Sequence, residues 1–246
     1  DTIAPTPNDG RPERDRDVMK KALIILSCVV VAGLAFATAF LLTYDRERRV
    51  TEKPVLYVYS PQEQRLTVSV DVDGAIDTAY PAPDALETTD WGTRASWTVT
   101  ASPDGTLTDA SGRTYPSLFW DGPVGQESPE EGFVVAREDA VPFLEEKLAL
   151  LGLTDKEAAD FITYWAPRIR ANEYTFVSFD ASSYTAHARY SFTDEAGAPV
   201  KPDTFIRVFM TIRAADANEV VTPQAFGPTP QRTGLVAVEW GGTEEQ

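Results

Sequence analysis

Ala22 through Tyr44 form a run of 23 residues without a formal charge, preceded by Lys20-Lys21 and closed by Asp45, Arg46, Glu47, Arg48 and Arg49. A helix rises about 1.5 Å per residue, so this run is roughly 34 Å long, enough to cross a hydrocarbon core of about 30 Å. A buried core helix of that length would normally keep a polar face, which this run lacks. The expectation is one transmembrane helix within residues 19–44, with the membrane as a partner through residues 22–44. Read from Met19, MKKALIILSCVVVAGLAFA also has the layout of a secretory signal, with Ala35-Phe36-Ala37 at the cleavage position. The apolar run continues through Phe40-Leu41-Leu42, so a retained signal-anchor is favoured and a cleaved, secreted form is the alternative. Cys28 inside the run reads as a small apolar residue rather than a lipidation site.

Charge divides the chain unevenly. Residues 1–44 carry five Lys/Arg and five Asp/Glu, whereas residues 45–246 carry 17 and 33, which is the whole net charge of −16. No part has the basic surplus that a phosphate backbone attracts, so nucleic acid is excluded as a partner. One Cys excludes an internal disulfide framework and one His excludes multi-histidine zinc sites. The basic residues flanking the apolar run are nearly balanced, so the positive-inside rule says little. The signal-like start and the acidic remainder together give a cell-membrane protein with a cytoplasmic N-terminus and an extracytoplasmic C-terminal domain.

Four regions follow. Residues 1–18, with Pro5, Pro7, Gly10 and Pro12, read as a disordered cytoplasmic tail. The anchor or signal-like segment occupies 19–44, a charged stalk 45–53, and one β-rich ectodomain 54–242. Val55 to Tyr59 reads as a strand. Leu66, Val68, Val70 and Val72 alternate with polar residues, as on a half-buried strand. Asp73-Gly74 is a turn signal that would return Ala75 to Tyr80 as a hairpin partner. Ala95, Trp97 and Val99 share one face of a further strand, and Asp104-Gly105 and Ser111-Gly112 are turns. Near 139–171 the period changes. Val141, Leu144, Leu148 and Leu151 make a helical stripe ended by Gly152, and Thr154 with Glu157 forms a capping box for a second helix. Ala158, Phe161, Ile162, Trp165 and Ile169 form its apolar face, and Pro167 should kink or shorten its end. After Asn172 strands return, with Thr204 to Ala214 central and Leu235 to Trp240 last. The expected fold class is mainly β, a sandwich or open barrel-like α+β domain with an inserted two-helix hairpin, preceded by the transmembrane helix.

Several dispersed phrases carry a resemblance. Lys53 to Pro61 is similar to a KPVIYLYP opening. Thr78-Ala79-Tyr80-Pro81, Tyr115 to Gly122, Tyr164-Trp165-Ala166-Pro167, Ile206 to Met210 and Val238-Glu239-Trp240-Gly241-Gly242 follow in order. Over residues 53–242 the chain resembles a family of bacterial secreted or membrane-anchored proteins of uncharacterised function with KPVIYLYP-, LFWEG- and VEWGG-like motifs. Ser60 interrupts the tyrosine–proline pair, and Asp121 stands where that family has Glu. The resemblance implies fold continuity and an envelope location, and no chemistry.

Asp121 and Glu239 are the candidate catalytic acids, each beside a tryptophan and a glycine. Paired carboxylates of unlike pKa, about 5–10 Å apart in an open cleft, are what glycoside hydrolysis requires. Trp120 and Trp240 would stack on sugar rings, and Arg207, on an otherwise apolar strand, would recognise an anion or pair with Glu239. Asp71 to Asp77 lacks the later bidentate Glu of a calcium loop, so no metal is expected. His187 stands alone on an expected strand without a nucleophile elbow around any serine, which disfavours a serine hydrolase. No cofactor is expected. The main functional expectation is a membrane-anchored extracytoplasmic binding or interaction domain with an envelope glycan or protein partner. The alternatives are an acid/base hydrolase of a glycan or envelope polymer, and a purely structural envelope domain.

Overall fold

Leu66, Val68, Val70 and Val72 all point one way from β2 (Gln64–Val72) and are fully buried, while the residues between them are part-exposed. Ala95, Trp97, Val99 and Ala101 repeat the pattern on β5 (Thr93–Ala101), to which β2 pairs antiparallel from Gln64↔Ala101 to Val72↔Thr93. Around this pair grows a seven-stranded sheet: β12 (Pro199–Val200), β11 (Ala188–Asp194), β2, β5, β6 (Leu107–Thr108) and β7 (Thr114–Tyr115), with β4 (Ala85–Thr88) also on β5. One face is buried and the other solvated, as antiparallel sheets allow. The computed structural model describes Gly33 and residues 48–125 and 127–245, and of residues 48–51 the backbone alone.

The second sheet also has seven strands, in the order β3 (Thr78–Tyr80), β8 (Leu118–Gly125), β1 (Arg48–Tyr59), β14 (Val236–Glu244), β13 (Thr204–Ala215), β10 (Tyr174–Phe179) and β9 (Phe133–Ala136). Its central strands are apolar on both sides, because both faces are covered. Leu56, Val58, Leu118, Trp120, Phe209 and Ala237 meet the first sheet in one core. From the other face Val55, Tyr57, Val208, Met210, Val238 and Trp240 meet two helices in a second core. Those helices are α1 (Ala140–Leu150) and α2 (Asp155–Ile169). The link between them turns at Gly152, whose φ of 91° favours glycine. Thr154 caps α2 reciprocally with Glu157, a device whose loss typically costs about 1 kcal/mol. A short third helix, α3 (Ala181–His187), inserts Tyr184 between the sheets and stacks it on Phe209.

The architecture is therefore a mixed α+β domain, mostly strand, in which two sheets and a helical layer stack. This corrects the expected fold class. The sheets do not close into a barrel, and each keeps its edge strands. No helix among the described residues is long and apolar enough to cross a membrane, and the run at 22–44, Gly33 apart, lies outside them. The transmembrane helix, the membrane as partner, the single-pass cell-membrane topology and the extracytoplasmic orientation built on it are accordingly not carried forward. The tail expected at 1–18 also lies outside the described residues. Within them, Arg48 to Lys53 belong to β1, pairing with β8 and β14, where the sequence reads as a stalk. Smaller corrections follow from pairing. The residues after Gly74 do not return along β2; β3 joins β8 in the other sheet. Helix α2 continues past Pro167 to Ile169, and the Arg168 guanidinium donates to the Tyr164 carbonyl at 2.9 Å.

Candidate functional site

Strand register decides where the five candidate residues point. Val55 lies across from Trp240 on one side and Phe119 on the other, and Leu56 lies across from Glu239 and Leu118. Residues directly opposite on paired strands share a face, and neighbours along a strand alternate. Trp240 thus faces the helices with Val55 and Phe119, while Glu239 faces the first sheet with Leu56 and Leu118. On β8 the alternation reverses the roles: Trp120 faces the first sheet and Asp121 the helices. Asp121 and Glu239 are separated by β1 and project from opposite faces of one sheet. No single substrate atom can reach both, which removes the paired-carboxylate hydrolase built on them.

Three of the five residues meet between the sheets. Arg207 is the register partner of Glu239 on parallel β13 and donates its Nε–H to Glu239 Oε2 at 2.6 Å. The other carboxylate oxygen, Oε1, accepts the Tyr184 hydroxyl at 2.7 Å. Glu239 is 1% exposed. Trp120 joins from the side, its indole N–H donating to the Tyr190 hydroxyl at 2.8 Å. The Arg207 guanidinium lies 5.0 Å from the Tyr184 ring centre and 5.4 Å from those of Tyr190 and Phe205, a desolvated cation against aromatic faces. Burial pulls the Arg207 pKa down, and the Glu239 charge more than offsets it, so the guanidinium keeps its proton. Burial, and then the Glu239 charge, push the Tyr184 and Tyr190 hydroxyls far up, so both stay neutral donors. Arg207 Nη2 is buried with no hydrogen-bond partner.

On the helix side, Trp240 is fully buried, packs edge-on to Phe161 at 5.2 Å, and donates to the Tyr57 hydroxyl at 3.3 Å. Tyr57 in turn donates to Asp160 at 2.8 Å, and Tyr59 to the buried Glu157 at 2.7 Å. Arg232 closes a salt bridge onto Glu157 and also donates to the Gly152 carbonyl at 2.8 Å. Tyr164 donates to Glu52 at 2.7 Å beneath the Arg168 guanidinium. Asp121, on this face, has one buried oxygen without a partner. Neither tryptophan has the exposed ring a sugar platform needs.

An open cavity of about 490 Å³ lies elsewhere, lined by Glu127, Glu130, Asp180, Ser183 and His187 among others. There His187 Nδ1 is paired with Asp73 Oδ2 across 114 positions of sequence. His187 ends α3 and does not lie on a strand, contrary to expectation. Spacing gave no signal for this pair; the Asp73-Gly74 turn and the sole histidine were visible, but not their approach. Among the described residues no group of three or more His, Cys, Asp or Glu is arranged to hold a metal ion.

The class these features define is a two-sheet α+β domain with a helical layer and a buried polar centre. No protein-family profile, curated protein or solved structure matches the chain.

Proposed function

We propose that the domain is structural, and that Trp120, Arg207, Glu239 and Trp240 serve to hold its three layers in register. The observation that supports this most is the Glu239 carboxylate, 1% exposed, with one oxygen taken by Arg207 and the other by Tyr184. A carboxylate so enclosed presents neither oxygen to a substrate in solvent, and its partners come from β13 and α3. It therefore ties together elements that packing alone would let slide. Trp240 ties β14 to α2 and β1 in the same way. The membrane-anchored binding module is not retained, since the described fold supplies neither its anchor nor its exposed aromatic platform.

The test compares wild type with D121N and E239Q in two assays, thermal unfolding and release of reducing ends from peptidoglycan and other polymeric glycans. The expected result is no release by any form, a clear fall in melting temperature for E239Q, and little change for D121N. Glycan cleavage by the wild type that D121N or E239Q abolishes without unfolding would overturn the structural reading.

A further inference from the structure

We propose that Asp73, His187 and Ser183 form a hydrolytic constellation for small neutral or cationic carboxylic esters at the open cavity beside α3. It lies apart from the buried centre around Glu239 and does not rest on the structural reading of that centre.

A carboxylate only accepts hydrogen bonds, so its contact with His187 Nδ1 places a ring proton there, and in the neutral ring Nε2 then carries the lone pair. Asp73 is held in turn. Its Oδ1 accepts the Gly125 N–H at 3.3 Å, and its own N–H donates to the His187 carbonyl at 3.0 Å. Gly125 is required by this pair, because a Cβ there would fall 2.8 Å from His187 Nδ1 and 3.2 Å from Asp73 Oδ2. Ser183 stands four residues before His187 on the same helix, and such positions share a face with Cβ atoms about 5–6 Å apart. The constellation requires the Ser183 rotamer that turns its Oγ toward Nε2. Ser183 Oγ accepts the Glu127 N–H at 3.0 Å, which leaves its hydroxyl hydrogen for donation. Ser182 differs, since its hydroxyl is donated to the capping Asp180 at 2.6 Å. Both Ser183 and His187 line the cavity.

The chemistry balances with an ester and water alone. Ser183 Oγ bonds to the carbonyl carbon as its proton passes to His187 Nε2, and the carbonyl oxygen takes the electron pair. That oxygen is assigned to the Glu127 N–H, which Ser183 Oγ accepts before the reaction. The carbonyl re-forms, the bond to the alcohol oxygen breaks, and His187 returns the proton to the leaving alcohol. Water then gives a proton to His187 and adds to the acyl carbon. Ser183 departs with that proton, releasing the carboxylic acid. Asp73 keeps its charge throughout, fixing the tautomer and facing the imidazolium. Glu127, Glu130 and Asp180 around the cavity repel anionic esters and favour neutral or cationic ones.

The experiment treats the full chain with a neutral fluorophosphonate probe, maps the adduct by peptide mass spectrometry, and follows hydrolysis of p-nitrophenyl acetate. The expected adduct is on Ser183, is absent in S183A and is retained in S182A. H187A lowers the hydrolysis rate by about 100-fold or more. As a positioning residue, Asp73 should show slowed labelling in D73N at an unchanged melting temperature, with partial recovery in D73E. Acetylthiocholine should be cleaved faster than p-nitrophenyl hemisuccinate, and the reverse order would overturn the substrate class. A folded wild type that gives no Ser183 adduct, or hydrolysis that survives in S183A, overturns the site. Neither outcome bears on the Glu239 melting data, so the two proposals fail separately.

Discussion

Arg207 lies directly across from Glu239 on neighbouring parallel strands, and the ion pair between them joins two register partners at 2.6 Å. A slip of one residue by either strand would turn that strand's member of the pair to the helix face, where the core is apolar, and part it from its partner. The pair therefore acts against misregister as well as for cohesion. Removing one partner leaves a buried charge uncompensated, a loss of about 3–5 kcal/mol. Urea unfolding should show that loss for E239A. The double variant R207M/E239L should lose much less, and equal losses would sink the account.

Glu157 gives the fold a specific acid sensitivity. Burial pushes its carboxyl up, but Arg232, the Thr154 N–H and the Tyr59 hydroxyl together hold it below the ordinary value of 4.5. With the folded pKa depressed, the unfolded chain takes up the proton first as pH falls. The stabilisation is fully present above the ordinary value and is lost as pH falls through the folded one. Melting temperatures measured from pH about 6 down to about 3 should converge for wild type and E157Q. Parallel curves would refute the assignment.

Ser178 carries a hydroxyl with no exposure and no hydrogen-bond partner. Burying an unpaired hydroxyl costs about 1–3 kcal/mol relative to leaving it in water. S178A should accordingly unfold at equal or higher denaturant concentration than wild type, with a gain of about 1 kcal/mol. A clear loss would mean that the hydroxyl has a partner in solution.

Gly242 has no room for a methyl group. A Cβ would fall 2.4 Å from the Met210 carbonyl oxygen and 2.6 Å from Trp165 Cζ2. The first atom is backbone in the neighbouring strand and the second belongs to a fully buried indole. Overpacking typically costs about 1–3 kcal/mol, and G242A should reach or exceed the top of that range in calorimetry. The equivalent change at Gly112, which has only open space around it but a φ of 84°, should cost less.

Local rules were readable wherever one face of an element is buried. The alternation at Leu66 to Val72 and the Thr154–Glu157 capping box are direct prints of geometry on sequence. The pairing of Arg207 with Glu239 followed from the cost of burying a lone guanidinium. What the sequence hid is non-local. Whether Asp121 and Glu239 share a face depends on β1 lying between their strands, which neither motif encodes. Helix α3 escaped because Ala181-Ser182-Ser183-Tyr184-Thr185 has no helical stripe. Its single apolar anchor, Tyr184, is fixed by contacts with Phe209 and Glu239 from distant strands. Pro167 reads as kinking or shortening the helix end, yet α2 runs on past it to Ile169.

The strand made from residues 236–244 fills the middle of its sheet, with β1 on one side and β13 on the other. During synthesis the chain emerges N-terminus first, so the ribosome delivers both flanking strands before the one that joins them. Until the final strand arrives, β1 and β13 present open hydrogen-bonding edges toward each other, the kind of edge that recruits other chains. The sheet is complete only when the last-made of its strands arrives, and the nascent form before that is the species most in need of a chaperone.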